Sequence, residues 1–188
     1  MTMRRCARCE WSEEYKKYHD QERGVPEYND RVLFEFLILE GAQAWLSWST
    51  ILKKRAGYRK VCKDFDPVLC AEFTDSYLES LARDSSIIRH KLKIASIRKN
   101  ARVFLELQKE YDSFSDYLWW WVEGKQIVNA REHESQCPAS TPLSISISQD
   151  LKKRGMIFVW PTILYAYLQA VGVVDDHIVG CRKRKNKQ

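Results

Sequence analysis

The fold is decided by one stretch, LEGAQAWLSW at residues 39–48, which continues as STILKKR to residue 55. Its apolar spacing predicts a mostly buried helix that carries one carboxylate, Glu40, with Gly41 as the break before the next helix. A carboxylate among apolar and aromatic neighbours is costly unless a polar or cationic group meets it. Two interpretations are open. Glu40 binds a neighbouring backbone N–H or an arginine, or it is a recognition carboxylate in a pocket walled by aromatic rings.

Length and composition bound the class of protein. The chain has 188 residues, of which 45% are hydrophobic and 12% aromatic, so it suits one domain or two small lobes that share a cleft. The net charge of +6 permits a polyanionic partner. Six cysteines without a secretory signal favour thiols or metal ligands and predict a cytoplasmic protein. Pro161 and Gln169 interrupt the most apolar run, so no membrane partner is expected.

Helical patterns and caps elsewhere predict an all-α fold. Asn29 is a plausible N-cap for the helix that precedes the central stretch. Ser76-x-x-Glu79 has the spacing of a capping box. The longest helical pattern covers residues 87–110, and its basic face either neutralises phosphates or is simply solvated. Residues 123–143 lack a clear period and are predicted to form a long surface loop.

The C-terminal third predicts two helices joined by an apolar corner. The first covers residues 147–154 and ends at Gly155, and the second begins at Pro161. Such a corner can present backbone N–H groups to a DNA phosphate, although similar corners occur in many all-α proteins. The candidate DNA-binding residues are Lys153, Arg154, Gly155, Trp160 and Thr162.

Cysteines and histidines at the two ends of the chain have spacings that suit one metal ion. His177 and Cys181 are separated by three residues, and His19 with either Cys6 or Cys9 would complete four ligands. A zinc site of this kind would join the termini and be structural, because no position stays open for a substrate. The alternatives are buried thiols with ordinary histidines, and a redox or chance pair at Cys6-x-x-Cys9.

Motifs along nearly the whole chain resemble those of the type I DNA-3-methyladenine glycosylases. In the order of that family they are Arg5-Cys6, Tyr18-His19-Asp20-x-Glu22, Gly24-Val25-Pro26, the central stretch with residues 50–55, Phe65-Asp66-Pro67, Ile87-Ile88-Arg89, Leu118-Trp119, residues 151–155, Asp176-His177 and Cys181. The resemblance implies an all-α, helix-hairpin-helix DNA glycosylase-like fold over residues 1–188, with residues 182–188 as a basic tail. It also implies a structural Zn²⁺ that joins the N- and C-terminal segments, held by Cys6, His19, His177 and Cys181, and so selects Cys6 over Cys9.

The same resemblance implies the activity. A monomer would hydrolyse the N-glycosidic bond of 3-methyladenine in alkylated double-stranded DNA, release the free base and so begin base excision repair. Glu40 would be the catalytic carboxylate that hydrogen-bonds the base, with Tyr18 and Trp48 packed around it and Tyr15 beside them. Nothing implies a lysine nucleophile, so hydrolysis without strand cleavage is expected.

Four positions depart from the usual pattern of the family. Arg8 and Arg23 stand where it usually has tryptophan, and Trp45 and Trp160 where it usually has glycine. The arginines would place cations beside a pocket for a cationic base. The tryptophans would add bulk where helix packing and a phosphate contact favour glycine. These departures support an alternative function, a zinc-clipped helical DNA-binding protein with altered or lost glycosylase activity.

Overall fold

Helices dominate the computed structural model, which describes residues 5–7, 9 and 12–184. Arg8 and the part of the basic tail from residue 185 onward lie outside the described residues. The helices are α1 (Glu13–Gln21), α2 (Asp30–Gln43), α3 (Trp48–Val61), α4 (Pro67–Ala71), α5 (Asp75–Leu81), α6 (Lys91–Tyr111), α7 (Phe114–Trp120), α8 (Pro142–Lys153) and α9 (Pro161–Ala170). The prediction of a mostly helical fold is confirmed. None of the described helices is long and apolar enough to cross a membrane.

Side-chain caps set the beginnings of several helices. Asn29 caps α2 as predicted, because its side-chain oxygen accepts hydrogen bonds from the first backbone N–H groups of that helix. The capping box predicted at Ser76 and Glu79 is wrong. Thr74 is the cap of α5, and its hydroxyl oxygen accepts a hydrogen bond of 3.2 Å from the backbone N–H of Tyr77.

The segment 123–143 is more ordered than the predicted surface loop. Strand β1 (Ile127–Val128) pairs in parallel with β2 (Val174–Asp175), so the segment is tied to the C-terminal part of the chain. Helix α8 also begins earlier than predicted, because Thr141 and Ser144 form a reciprocal capping box at its N-terminus. The predicted start at residue 147 is therefore wrong by more than one helical turn.

Helix α2 lies at the centre of the hydrophobic core. It contacts α3, α6, α7 and α9, and its residues are buried on every side from Leu33 to Ala42. Phe34 of α2 packs edge-on against Phe104 of α6, which in turn stacks on Phe114 at 4.1 Å. A helix that is apolar all round is expected at such a position. The carboxylate of Glu40 is therefore placed inside the protein by the burial of its neighbours.

Gly41 does not end the central helix, and the predicted break there is wrong. Helix α2 continues through Gly41 to Gln43. The lack of a side chain serves packing instead, since a Cβ at Gly41 would lie 3.3 Å from the Cβ of Phe158 in the α8–α9 corner. This contact brings the corner against the helix that carries Glu40.

A lysine of α6 holds the C-terminus of α2. The Lys93 side chain is 8% exposed, and its Nζ donates hydrogen bonds to the carbonyl oxygens of Ala42 (2.8 Å) and Ala44 (2.6 Å). The last carbonyls of a helix have no partner within the helix, and a positive charge at this end also interacts favourably with the helix dipole. Lys93 thus fixes the turn of residues 44–47 that leads into α3.

Lys93→Met should lower the free energy of unfolding by about 2 kcal/mol, because it keeps the length of the side chain and leaves two carbonyls without a cationic donor. Chemical denaturation followed by circular dichroism measures the change. Lys91→Met, at an exposed position on the same helix, is the matched control. A loss no larger than that of the control would contradict the role of Lys93.

Candidate functional site

A pocket lies between α1, α2, α3 and α9. It brings together the candidate base-binding residues Tyr15, Tyr18, Glu40 and Trp48. Their role in binding a base remains a prediction at this point. The pocket is also lined by four residues outside that set, which are Arg23, Gln43, Ala166 and Gln169.

Aromatic packing builds one wall of the pocket. Tyr18, on the buried face of α1, packs against Trp48 at a ring-centroid distance of 5.3 Å and meets Tyr15 edge-on at 6.0 Å. Trp48 is the first residue of α3 and stacks on Phe36 at 6.5 Å. The rings come from three helices, so the wall depends on how α1, α2 and α3 are held together.

An ion-pair network holds those three helices. Arg55 of α3 donates hydrogen bonds to Glu35 of α2 (2.8 Å) and to Glu22 at the end of α1 (2.9 Å). Burial opposes ionisation of Glu35, but hydrogen bonds from Arg55 and Arg59 outweigh it and lower the pKa of that carboxyl. The last residue of the STILKKR segment therefore positions the aromatic wall.

Glu40 is 4% exposed, and its Oε2 is buried without a hydrogen-bond partner. Neither of the partners first considered, a backbone N–H or an arginine at hydrogen-bond distance, meets this carboxylate in the described ranges of the chain. Burial raises its pKa from 4.5 to about 8, and the charge of Arg23 opposes part of that rise. A buried acceptor without a donor is costly in a native structure, and none of the described residues donates a hydrogen bond to Oε2 of Glu40, so this atom can accept one from a ligand.

The raised pKa of Glu40 makes stability depend on pH. The folded state holds this proton more tightly than the unfolded state, so the free energy of unfolding falls as the pH rises from 4.5 to about 8. Glu40→Gln removes this dependence. Relative to wild type, the variant should gain roughly 4 kcal/mol between about pH 5 and about pH 9, measured by denaturation at a series of pH values. Glu79→Gln, at an exposed position on α5, controls for the substitution itself, and a pH-independent difference for Glu40→Gln would contradict the assignment.

Two polar lining residues were not predicted from the sequence. Gln169 donates a hydrogen bond of 2.6 Å to the buried carboxylate of Asp176, and Gln43 lies three residues after Glu40 on the same helix. Each left a signal in the sequence. Gln169 interrupts an apolar helix, and Gln43 has the spacing that places it beside Glu40 on the helix surface.

Trp45 lies outside the aromatic wall. Its side chain is fully exposed, so the expectation that it crowds the packing of helices is wrong. Its backbone has φ of +67°, the left-handed region in which glycine is favoured. The tryptophan of this chain therefore occupies a backbone conformation that favours glycine, and its side chain projects from that turn into solvent.

The ends of the chain meet in a buried Cys/His cluster. Cys6, His19 and Cys181 each offer one ligand atom, and these atoms all lie within 4.8 Å of one another. The Cys6 thiol donates a hydrogen bond that lowers the pKa of Cys181, so the pair favours one thiolate. The thiol of Cys9 is directed to the carbonyl oxygen of Cys6 at 2.8 Å. The structure thus places Cys6, and not Cys9, in the cluster.

His177 lies beside this cluster but is not one of the three. Its ring centroid is 4.9 Å from that of His19. Its Nδ1 is 2.7 Å from a carboxylate oxygen of Asp175, while its Nε2 is buried without a hydrogen-bond partner in the part of the chain that the structure describes. Gly24 leaves room for this ring, because a Cβ there would lie 2.7 Å from Cε1 of His177.

The α8–α9 corner exposes most of the candidate DNA-binding residues. Lys153 and Thr162 are exposed, and Trp160 is half-exposed with Nζ of Lys152 5.5 Å from the centroid of its ring. Gly155 ends α8 with φ of +102°, as expected for a residue at the C′ position. The indole of Trp160 therefore lies on the surface and does not fill the inside of the corner.

Arg154 differs from the other residues of this set. Its guanidinium donates hydrogen bonds to Asp150 of α8 (2.8 Å) and to Glu110 of α6 (2.9 Å). Two carboxylates neutralise its charge, and it ties α8 to α6. In this arrangement Arg154 positions the corner, and Lys153 offers the freer charge.

Comparison with known proteins agrees with this arrangement. The family model described as methyladenine glycosylase matches residues 8–185. DNA-3-methyladenine glycosylase 1 of Escherichia coli (strain K12) is 45% identical over 177 residues, which cover 93% of this chain and 95% of that protein. The DNA-3-methyladenine glycosylase of Haemophilus influenzae is 42% identical over 93% of this chain and 96% of its own length.

Solved structures share the fold. A crystal structure of a 3-methyladenine DNA glycosylase I superposes with a TM-score of 0.94 at 42% identity, covering 97% of this chain and 100% of the other. The Staphylococcus aureus 3-methyladenine DNA glycosylase I has a TM-score of 0.95 at 33% identity over 100% of both chains. A variant of such an enzyme in complex with 3-methyladenine has a TM-score of 0.94 at 33% identity, with 97% and 98% coverage. The chain therefore belongs to the methyladenine glycosylase family.

Proposed function

We propose that this protein hydrolyses the N-glycosidic bond of 3-methyladenine in alkylated double-stranded DNA, the first step of base excision repair. The observation that carries the proposal is the buried carboxylate of Glu40, which has no partner among the described residues and lines a pocket with Tyr18 and Trp48. Relatives named for this activity share more than 40% of their residues with the chain, and one similar enzyme has been solved with 3-methyladenine bound.

The chemistry of the base explains why one carboxylate and aromatic rings suffice. Methylation at N3 makes adenine cationic while it is still attached to the sugar, so it is already a good leaving group. The enzyme must extrude the nucleotide, hold the ring and allow an oxocarbenium-like sugar to form before water attacks. Glu40 accepts a hydrogen bond from the exocyclic amine and attracts the charge of the ring. The faces of Tyr18 and Trp48 add cation–π attraction of up to ~2 kcal/mol.

The electrostatics of the pocket suit this role of Glu40. Burial raises the pKa of its carboxyl to about 8. A cationic base with an exocyclic amine supplies both the charge and the donor that the carboxylate lacks. No lysine is among the described residues that line the pocket, so we propose hydrolysis without a lyase step.

We propose that the α8–α9 corner binds the DNA backbone through Lys153, Gly155 and Thr162, with Trp160 beside them and Arg154 as the positioning residue. The exposed side chains of Lys152 and Lys153 and the N-terminus of α9 at Pro161 suit phosphate contacts. The pocket, the corner and the Cys/His cluster lie on one chain, and one hydrophobic core joins residues from Cys9 to Val174. The chain is therefore expected to act as one glycosylase domain and as a monomer.

We also propose that Cys6, His19, His177 and Cys181 hold a structural zinc ion. Three of them already converge, and the buried Nε2 of His177 lacks a partner among the described residues. The Nδ1 atoms of both histidines lie next to carboxylates, Asp20 for His19 and Asp175 for His177, as is usual for histidines that bind zinc. The ion would join the chain ends and would take no part in the chemistry.

Incubation with methylated double-stranded DNA, followed by chromatography of the released bases, tests the function. We expect release of 3-methyladenine without strand cleavage. DNA binding without base release above background would overturn the proposal and establish the alternative, a helical DNA-binding protein that has lost glycosylase activity. That alternative is favoured by one observation, the cation of Arg23 in the pocket.

A further inference from the structure

Arg23 places a positive charge in the pocket that contains Glu40. Its backbone N–H donates to the carbonyl oxygen of Tyr18 (3.1 Å), just after α1 ends, and its side chain lines the same cavity as Glu40 and Trp48. Across the described residues the guanidinium forms no ion pair with a carboxylate. Its charge acts on Glu40 through space and opposes the effect of burial on the pKa of that carboxyl.

A cation at this place opposes the binding of a cationic base. Two like charges in a poorly solvated site repel each other by an amount that depends on their separation and on the local dielectric. A pocket that only had to bind the cationic base tightly would contain Glu40 and no positively charged side chain. The effect of Arg23 on the rate therefore depends on how the charge of the base changes during the reaction.

Cleavage moves the positive charge away from the base. When the bond between N9 and C1′ breaks, its electron pair stays with the base, which becomes neutral, and the sugar becomes an oxocarbenium-like cation. Water then adds at C1′ and loses a proton. A fixed cation at the base end is thus repelled by the reactant and much less by the transition state, in which the base has lost most of its charge.

We propose that Arg23 acts as a fixed cation in the pocket, which weakens the binding of the cationic base and speeds its departure by the same factor. This inference rests on the proposed function, since it needs a base that is cationic before cleavage and neutral afterwards. It assigns opposite effects to two charges in one cavity. Glu40 attracts the cationic ring. Arg23 repels the same ring, and this repulsion is stronger in the ground state than in the transition state.

Kinetics separate this role from a structural one. In single-turnover assays on methylated DNA, Arg23→Gln should lower the maximal rate about tenfold and lower the half-saturating enzyme concentration about tenfold, so that their ratio stays near that of wild type. Arg23→Lys keeps the charge and should keep both constants. If Arg23→Gln lowered the ratio of maximal rate to half-saturating concentration and did not lower the half-saturating concentration, the role of Arg23 would be structural and the proposal would be overturned.

Binding of free bases tests the same idea without catalysis. The probes are 3,9-dimethyladeninium, a cation with a methyl group in the place of the sugar, and neutral 3-methyladenine. Calorimetry should show that the ratio of cation to neutral affinity rises about tenfold on Arg23→Gln, an effect of about 1.4 kcal/mol, and is unchanged on Arg23→Lys. Equal ratios in wild type and both variants would overturn the proposal.

Arg23→Trp is a second way to remove the charge. It replaces the guanidinium with a large uncharged side chain, so it keeps the proposal testable if Arg23→Gln does not fold, and it should raise the affinity ratio in the same direction. The two failures can also be told apart. A wild-type protein that releases no 3-methyladenine contradicts both the proposed function and the proposed effect of the Arg23 charge. If the wild type releases 3-methyladenine but the ratio of cation to neutral affinity does not change when Arg23 is replaced, only the inference about Arg23 is contradicted.

Discussion

Glu40→Gln should lower kcat/KM for release of 3-methyladenine by about 10- to 100-fold. The substitution keeps the shape of the side chain and removes its charge. A glutamine oxygen can still accept a hydrogen bond from the exocyclic amine, but the bond is no longer charge-assisted, and the attraction to the cationic ring is lost. The same base-release assay measures the effect, with the variant beside wild type at equal concentration.

Two controls protect this result from misinterpretation. The variant should be at least as stable as wild type above about pH 8, because a buried carboxylate with a raised pKa is a destabilising group when ionised. Lost activity would then not reflect unfolding. Glu79→Gln, which removes a charge on the surface of α5, should release base at the rate of wild type. A Glu40→Gln variant within about twofold of wild type would show that the charge does not contribute to catalysis.

Cys181→Ala should abolish zinc binding and lower Tm by about 10 °C or more. The loss of one thiolate ligand removes most of the affinity of a structural site, and in such sites the free energy of metal binding contributes directly to folding. In a chain of this length, each 1 kcal/mol shifts Tm by about 2–4 °C. Metal analysis of the purified protein and differential scanning calorimetry measure the two effects.

Cys9→Ala is the matched control for the metal site. Cys9 is also buried and lies three residues from Cys6, but its thiol is directed to a backbone carbonyl, so the variant should retain zinc. His177→Ala tests the fourth ligand and should lower zinc occupancy. Wild-type protein without stoichiometric zinc, or Cys181→Ala with unchanged zinc, would contradict the site.

Several local signals in the sequence gave correct expectations, but the cap predicted for α5 and the start predicted for α8 were wrong. The Asn29 cap and the Gly155 terminus each depend on a few neighbouring residues, and both are as expected. The apolar neighbours of Glu40 predicted that its carboxylate is buried. The structure shows that Glu40 is buried and that its Oε2 has no hydrogen-bond partner among the described residues. The family resemblance predicted which residues of distant segments lie in one site, and the spacing of residues along the chain does not contain this information.

Other features that the sequence did not predict are contacts between distant segments. Gly41 looked like a helix break, but its missing side chain accommodates Phe158. The sequence next to Arg154 does not reveal its ion pair with Glu110 on another helix. The cap that Lys93 places on α2 joins residues 49 and 51 positions apart. No local pattern records which side chain of one element will reach another.

The meeting of the chain ends has a consequence for synthesis. His19 and Cys181 are 162 positions apart, and closing a loop of that length costs about 4–5 kcal/mol beyond a constant. On the ribosome, α1, α2 and α3 emerge long before Cys181 exists. Until then Tyr18 is held only by contacts within the N-terminal half, such as the pairing of Arg55 with Glu22. The nascent protein should therefore complete its pocket late, when the last part of the described chain has been translated.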